Sequence, residues 1–409
     1  MTLRIRDTLS KRIVPVGHAP GRPVRMYVCG PTVYAPAHVG HARTYLYFDL
    51  IRRAFAADGI PVQHVMNITD FEEKIDARAA LLGVTWRELA RREERDFFRD
   101  LDAFGILRPT YRPRASDFIS RMVRVATRLA NTGRIRRDGD RFYYHPPERP
   151  RGANFPLGAE LAEHAVIEPG HPFPTHDTSA GEFLVWQLQK PPLPSWKGPW
   201  GPGMPGWHLE CFAMAEEHLG VPVDLHGGGL DLIYPHHYSE NEIALSLLHR
   251  PFARRFLHTA FVLQNGSKMS KSKGNLTTIR AAIAEADAPG LRWFLGEPSY
   301  TERVEWDVRR LRRATAEHAR MRALVTAWLR SGVGGAVGAR EATRLVQGVR
   351  RDLENNLRTG RAADRVREFV LRLESDGRGG LPRGERAKAT AAIRELEFRL
   401  GVPFRGAAD

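Results

Sequence analysis

Residues 25–56 read RMYVCGPTVYAPAHVGHARTYLYFDLIRRAFA, and they decide the fold class. Arg25 to Cys29 form a short apolar strand candidate that ends at a Gly-Pro turn. His41 to Ala56 then carry apolar residues at helical spacing, and a second strand candidate, Val62 to Ile68, follows. This order predicts an α/β, doubly wound parallel-sheet (Rossmann-like) fold, in which ligands gather at the carboxyl ends of the strands.

The remaining pattern divides the chain into four segments. A helical stripe followed by a Pro- and Gly-rich stretch predicts that residues 116–200 are a connective insertion. The insertion would separate the two halves of the catalytic domain, residues 1–115 and 201–300. Beyond residue 300 the strand patterns stop and apolar residues recur at every fourth position, so residues 301–409 are predicted to form an α-helical bundle.

The chain is strongly basic. Its 409 residues carry 62 Lys and Arg against 47 Asp and Glu, a formal net charge of +15. Basic surfaces attract phosphates, so a nucleic acid is the leading partner, although genome-wide composition bias would also produce a basic surface. No apolar run reaches the roughly 18 residues that a membrane span needs. We therefore expect no membrane partner and a cytoplasmic location.

The chain has only two cysteines, Cys29 and Cys211, and each lies in a short segment rich in glycine or aromatic residues. Two cysteines cannot form a disulfide framework. A thiolate pair can bind a soft or borderline metal, whereas the alternative is a pair of small buried hydrophobic side chains.

Two further motifs are suited to phosphate chemistry. His38-Val39-Gly40-His41 places two imidazoles at the predicted start of a helix, where anions bind readily. Residues 268–275, KMSKSKGN, form a cationic segment suited to a pyrophosphate leaving group. Each motif alone could instead be a surface histidine pair or a basic loop.

Together these motifs are the two signatures of class I aminoacyl-tRNA synthetases. With MYVCGPTVY, GWHLEC and DLHGGGLDLIYPHH, the chain resembles the cysteinyl-tRNA synthetases over about residues 20–320. The resemblance implies a ligase that activates L-cysteine with ATP and Mg²⁺ and transfers it to the 3′ end of tRNA(Cys). The helical segment 301–409 would then bind tRNA on the anticodon side in a shortened form, with phosphate contacts from Arg309, Arg310, Arg312 and Arg313. A monomer is the expected state.

The resemblance also implies a zinc site, one Zn²⁺ per chain, formed by Cys29, Cys211, His236 and Glu240. Glu242 is the alternative to Glu240, because the family usually has His-His-Glu-Asn-Glu where this chain has His-His-Tyr-Ser-Glu. The substrate thiol would bind the zinc directly, which would exclude serine.

The other expected site residues fall into three groups. Residues that position ATP and neutralise its developing charge are His38, His41, Lys268 and Lys271. Residues that bind the nucleotide are Gly40, Gly229, Asp231, Met269 and Ser270. Residues near the bound cysteine are Gly30, Thr69 and Trp207.

Two alternatives remain open at this stage. The chain length resembles the mycothiol-pathway cysteine ligase, a paralogue that joins cysteine to a glucosaminyl-inositol amine. Residues 31–34, PTVY, and His226 resemble the synthetases instead. A synthetase-like protein that has lost catalysis is the second alternative, and the intact HVGH and KMSKS motifs argue against it.

Overall fold

The computed structural model of the chain describes residues 2–17, 19–147, 181–190, 193–269, 274–331, 335–376, 381 and 384–406. The strands in these ranges are β1 (Arg4–Arg6), β2 (Ile13–Pro15), β3 (Val24–Val28), β4 (Val62–Met66), β5 (Ile135–Asp138), β6 (Arg141–Tyr144), β7 (Phe183–Leu188), β8 (Trp196–Gly198), β9 (Gly201–Pro205), β10 (Leu225–Gly229), β11 (Phe256–Thr259), β12 (Val262–Gln264), β13 (Ser267–Lys268) and β14 (Val304–Glu305). The α-helices are α1 (Val39–Ala57), α2 (Glu73–Leu82), α3 (Trp86–Ala103), α4 (Ile119–Ala130), α5 (His208–His218), α6 (Tyr238–Leu248), α7 (Ile279–Glu285), α8 (Ala288–Gly296), α9 (Val308–Arg330), α10 (Ala339–Glu354), α11 (Thr359–Ser375) and α12 (Arg386–Leu400). None of these helices is long and apolar enough to cross a membrane.

A four-stranded parallel sheet forms the centre of the fold, with strand order β11-β10-β3-β4. From β3 the chain continues to β4 on one side and later to β10 and β11 on the other. The strand order therefore reverses between β3 and β10, which is where open α/β sheets bind their ligands. This topology confirms the predicted doubly wound fold.

The strand β10 lies four residues later than the sequence pattern indicates. We expected a strand at residues 221–225 leading into a glycine turn, but the three glycines belong to the strand itself. A Cβ atom at Gly227 would lie 2.0 Å from the Leu257 carbonyl oxygen and 2.5 Å from the Phe48 ring. The glycine is therefore required by close packing of β10 against β11 and α1, rather than by a turn.

The chain between α4 and α5 forms a separate antiparallel sheet of five strands, in the order β5-β6-β7-β9-β8. This sheet lies largely within the predicted connective insertion. Residues 148–180 of that insertion lie outside the described residues. The exact division of the chain at residues 115, 200 and 300 stays a prediction.

The helices α9 to α12 surround a hydrophobic core of their own, to which the predicted stripe on α10 contributes Leu345, Val349 and Leu353. A buried ionic network joins α1 to α8, and its two arginines also reach α12, where Arg53 donates to the Phe398 carbonyl oxygen and Arg292 to the Leu400 carbonyl oxygen. Asp49 on α1 contacts Arg292 at 2.6 Å and Arg53 at 2.7 Å. Burial raises the pKa of Asp49, but the two guanidinium groups outweigh burial and leave that pKa below its usual value.

Candidate metal centre and nucleotide site

The four predicted metal ligands lie together at the carboxyl end of β3. Cys29 follows β3 directly, Cys211 lies one turn into α5, His236 precedes α6, and Glu240 lies in the first turn of α6. Their donor atoms all lie within 4.8 Å of one another, and all four residues are buried. The structure thus joins two cysteines that are 182 positions apart in sequence.

The distances within this cluster are short. The two sulfur atoms of Cys29 and Cys211 are 3.8 Å apart, and Cys211 Sγ lies 3.4 Å from His236 Nε2. Glu240 Oε1 lies 3.0 Å from His236 Nε2 and 3.9 Å from Cys29 Sγ. Two sulfurs, one imidazole nitrogen and one carboxylate oxygen form a donor set that suits zinc.

Glu242, the alternative ligand, is also buried but belongs to neither of the two groups of converging donor atoms in the described residues. Glu240 faces the cluster because it follows His236 by four positions and therefore shares its face of the chain as α6 begins. The geometry favours Glu240.

A second layer of histidines surrounds the cluster, and the sequence pattern did not identify it. His226 Nδ1 donates to the Tyr27 carbonyl oxygen at 3.0 Å, and its Nε2 lies 2.8 Å from Glu240 Oε2. His237 Nε2 lies 3.3 Å from Cys29 Sγ. Metal-ligating groups are commonly oriented by such partners.

The layer continues outward from His237. His237 Nδ1 lies 2.7 Å from His258 Nε2, and His258 Nδ1 lies 2.8 Å from Thr8 Oγ1. Cys29, His226, His237 and Glu240 also satisfy the geometry of a metal-binding group, but that group lacks Cys211. Sequence spacing could not separate His236 from His237, because adjacent residues differ only in which side of the chain they face.

The two thiols have different proton affinities. Burial raises the pKa of Cys29, but the hydrogen bond with Cys211 and the nearby His237 and His236 outweigh burial and lower that pKa well below the usual value. Burial raises the pKa of Cys211 well above its usual value, and the hydrogen bond with Cys29 adds to the effect. One thiolate therefore forms readily in this protein, and a cation in the cluster would favour the second.

The charged forms of the other two donors stabilise each other. Burial opposes the charge on Glu240, but His236 and His226 bring the pKa of its carboxyl group down to about 2. Burial likewise lowers the pKa of His236, but Glu240 and Cys29 outweigh it and raise the value to about 10. A metal ion held here would replace the proton of His236 as the positive partner.

The residues predicted to lie near bound cysteine surround the cluster. The ring of Trp207 stacks on His236 with ring centroids 3.9 Å apart. The Thr69 hydroxyl donates to Glu210 Oε2 at 2.7 Å, and Glu210 is the residue directly before Cys211 in the chain. A Cβ atom at Gly30 would lie 1.6 Å from the Asn67 carbonyl oxygen, so only glycine fits next to Cys29.

The HVGH motif caps the helix α1. The His38 side chain accepts a hydrogen bond from the Gly40 amide at 3.1 Å, and the rings of His38 and His41 lie 4.0 Å apart. A Cβ atom at Gly40 would lie 2.8 Å from the His38 ring. Gly40 therefore lets one imidazole fold across the start of the helix.

The described part of the KMSKS segment lies beside β10. Lys268 Nζ forms an ion pair with Asp231 Oδ2 at 3.1 Å, and Met269 is buried. Asp231 also approaches Gly229, where a Cβ atom would meet Asp231 Oδ1 at 2.5 Å. Ser270 and Lys271 lie outside the described residues.

Two backbone hydrogen bonds connect the segments that carry the two signatures. The Val39 amide donates to the Thr277 carbonyl oxygen, and the Ile279 amide donates to the Ala37 carbonyl oxygen, both at 3.0 Å. The start of α1 is therefore fixed against the chain that follows KMSKS. These bonds bring the HVGH motif next to the described residues that follow KMSKS.

Comparison with known proteins gives consistent results. The family described as "tRNA synthetases class I (C) catalytic domain" matches residues 16–316. The chain is 37% identical to a cysteine–tRNA ligase of Anaeromyxobacter dehalogenans over 96% of its own length and 83% of that protein. It is 34% identical to one of Streptomyces avermitilis, over 98% of its length and 84% of that protein.

Solved structures agree on the fold. The Mycobacterium tuberculosis methionyl-tRNA synthetase in complex with methionyl-adenylate aligns with a TM-score of 0.64 at 17% identity, covering 92% of this chain and 90% of that chain. The LeuRS in a ternary LeuRS–tRNA–LeuAMS complex from Agrobacterium radiobacter K84 aligns with a TM-score of 0.65 at 13% identity, covering 94% of this chain and 84% of that chain. At these identities the likeness concerns the fold alone.

Proposed function

This chain belongs to the cysteine branch of the class I tRNA synthetases, and we propose that it selects cysteine through a zinc ion held by Cys29, Cys211, His236 and Glu240. As a cysteine–tRNA ligase, it joins cysteine to tRNA(Cys) at the expense of ATP. Its relatives do not favour the mycothiol-pathway activity.

The observation that carries the zinc proposal is the meeting of all four donor atoms within 4.8 Å at the point where the strand order reverses. In the metal-free chain these buried donors stabilise one another, and a zinc ion would take the place of the His236 proton as their positive partner. A zinc ion there would supply a Lewis acid that binds the thiolate of cysteine far better than the hydroxyl of serine.

The residues around the cluster define where the amino acid would lie. Trp207 stacks on His236, Thr69 bonds to Glu210 next to Cys211, and Gly30 lets the chain after Cys29 pack against the Asn67 carbonyl oxygen. ATP with Mg²⁺ would bind between HVGH and KMSKS, with Asp231 as acceptor for the ribose hydroxyls. The cysteine carboxylate then attacks the α-phosphate, releasing pyrophosphate.

No protein nucleophile is required for this step, because the substrate supplies its own. His38, His41, Lys268 and Lys271 would position ATP and neutralise charge that develops on the transferring phosphate. Gly40 and Gly229 would let the backbone approach the nucleotide, with Met269 and Ser270 beside it. A hydroxyl at the 3′ end of tRNA(Cys) would finally attack the adenylate and release AMP.

The helical segment is proposed to hold the tRNA, and the four arginines named from the sequence are not equivalent there. Arg312 is paired with Glu285, whereas Arg310 and Arg313 line an open cleft beside β14. Arg309 is highly exposed. We also propose that the enzyme acts in the cytoplasm as a monomer.

The test supplies purified enzyme with cysteine, ATP and either tRNA(Cys) or glucosaminyl-inositol, and measures which acceptor gains cysteine. We expect transfer to tRNA(Cys) only, with about one zinc per chain. Zinc-free protein that still rejects serine would refute the metal proposal. Transfer to the sugar amine would refute the acceptor.

A further inference from the structure

A groove of about 560 Å³ lies along the outer face of α3. It is formed by α3 and by the segment from residue 108 to residue 114, which runs beside it. Six arginines line this groove, namely Arg91, Arg95, Arg99, Arg108, Arg112 and Arg114. Two acidic residues, Glu94 and Asp102, accompany them, so positive charge dominates.

Half of these arginines already have a carboxylate partner. Arg108 pairs with Asp102 at 2.6 Å and Arg114 with Glu94 at 2.7 Å. Arg99 pairs with Asp96 at 2.8 Å. These contacts hold the walls of the groove in place.

The other three have no carboxylate within 4.0 Å in the described part of the chain. They are Arg91, Arg95 and Arg112, and the guanidinium of Arg112 lies over the Phe98 ring. Arg91 and Arg95 are four positions apart, so their Cβ atoms are about 5–6 Å apart and their charges repel each other. An anion in the groove would relieve this repulsion.

The groove leads toward the catalytic edge of the sheet. Its second wall runs parallel to β4, with Tyr111 beside Val65 and Arg114 beside Ile68. Ile68 is followed at once by Thr69, which lies next to the metal cluster. An elongated ligand bound in the groove would therefore have one end near the metal cluster.

The inner face of α3 leads to the same place. Phe97 packs edge-on against Tyr45 at 5.6 Å between ring centroids, and the Tyr45 hydroxyl donates to the Cys29 carbonyl oxygen at 3.3 Å. The helix that carries the groove is thus connected through Phe97 and Tyr45 to the backbone of Cys29.

The cleft beside β14 is larger, about 840 Å³, but its charge is nearly balanced. Five arginines and four glutamates line it, and two of those glutamates, Glu297 and Glu317, also pair with Arg367. The α3 groove therefore presents the stronger excess of positive charge per volume. Such a field attracts a phosphate backbone without reading its sequence.

We propose that the α3 groove binds the sugar-phosphate backbone of tRNA close to its acceptor end. The inference rests on the transfer of cysteine to tRNA described above. Arg91, Arg95 and Arg112 contact phosphates, for which the planar guanidinium is well suited. The ion pairs of Arg99, Arg108 and Arg114 hold the two walls of the groove in position.

The experiment compares two double variants of the full enzyme that remove the same charge from the same helix. Arg91→Gln/Arg95→Gln removes two of the three unpaired arginines of the groove, and Arg87→Gln/Arg92→Gln removes two arginines of α3 that lie outside it. Glutamine keeps a comparable helix propensity. Binding of tRNA(Cys) is measured across a range of salt concentrations, together with the KM for tRNA and the tRNA-independent ATP–pyrophosphate exchange.

We expect the groove variant to bind tRNA about tenfold more weakly at low salt and to lose roughly 1.5 from the slope of log K against log salt. Its ATP–pyrophosphate exchange should equal that of the wild type, which shows that activation of cysteine is intact. The Arg87/Arg92 variant should bind tRNA almost normally. An unchanged salt slope in the groove variant would overturn the proposal. Equal losses in both variants would also overturn it, because the effect would then be general charge.

Discussion

His226 holds one oxygen of Glu240, with its Nε2 atom 2.8 Å from Oε2, while the other oxygen of Glu240 lies 3.0 Å from His236. The imidazole of His226 is itself oriented by the Tyr27 carbonyl oxygen. Both oxygens of the carboxylate are thus engaged, and Oε1 is directed at the cluster. The orientation of a proposed ligand depends on a residue that contributes no donor atom to the proposed set.

This arrangement predicts the effect of His226→Gln. The variant should fold and retain Glu240, but its zinc affinity should fall about 10- to 100-fold because the carboxylate is less well oriented. Competition with a chromophoric chelator measures the affinity directly. His64→Gln is the matched control, since His64 is equally buried in the same sheet but lies outside the cluster. Equal losses in the two variants would contradict a specific role for His226.

The two glutamates of α6 offer a second test. Glu240→Gln should lose most of its bound zinc, because a neutral amide replaces a carboxylate at the centre of the donor set. Glu242→Gln should keep about one zinc per chain. Metal content after dialysis, measured by mass spectrometry, separates the two. Zinc retained by the first variant and lost by the second would move the ligand to Glu242.

The lysines of KMSKS should act on ATP and not on the metal. Lys271→Ala is expected to lose ATP–pyrophosphate exchange by about 100-fold or more, since it removes a cation from the developing charge of the leaving group. Its zinc content should stay at the wild-type value. Lys197→Ala, an exposed lysine of the antiparallel sheet, serves as control. Undiminished exchange in the Lys271 variant would exclude this role.

The network around Asp49 predicts a pH-dependent stability. Asp49→Asn leaves Arg292 buried with no counter-charge and should cost about 3–5 kcal/mol of unfolding free energy. Because the folded-state pKa of Asp49 lies below the ordinary value of an aspartate, its contribution is fully present above about pH 4. That contribution is lost as pH falls through the folded-state value.

Urea unfolding from pH 3 to 7 measures both effects. The wild type should lose stability toward low pH more steeply than the Asp49 variant. Glu285→Gln, which breaks the exposed pair with Arg312, should cost only about 0–1 kcal/mol. A variant at Asp49 as stable as the wild type at pH 7 would show that the network does not stabilise the fold.

The sequence was informative where local pattern decides structure. The parallel sheet and α1 follow from strand and helix periodicity, and the candidate ligands follow from motifs. Cys29 and Cys211 could be paired only by resemblance, because nothing in local spacing brings residues 182 positions apart together.

The remaining features depend on long-range packing. The strand β10 was misplaced because glycine usually disfavours strands, and only the contacts of Gly227 with Phe48 and β11 explain it. His226 and His258 orient the cluster from two neighbouring strands, which sequence spacing cannot relate. The α3 groove likewise exists only because the segment ending at Arg114 folds back beside the helix.

The distance between the two cysteines along the chain also has a consequence during synthesis. A ribosome that has reached residue 205 has made Cys29 and the antiparallel sheet, but none of the other three donors. The metal centre can form only after Glu240 has left the exit tunnel, because Cys211, His236 and Glu240 must pack against the end of β3 that carries Cys29. Metal uptake would thus occur late in synthesis. The fraction of chains that bind metal would equal the fraction in which the segments before and after the antiparallel sheet have packed together.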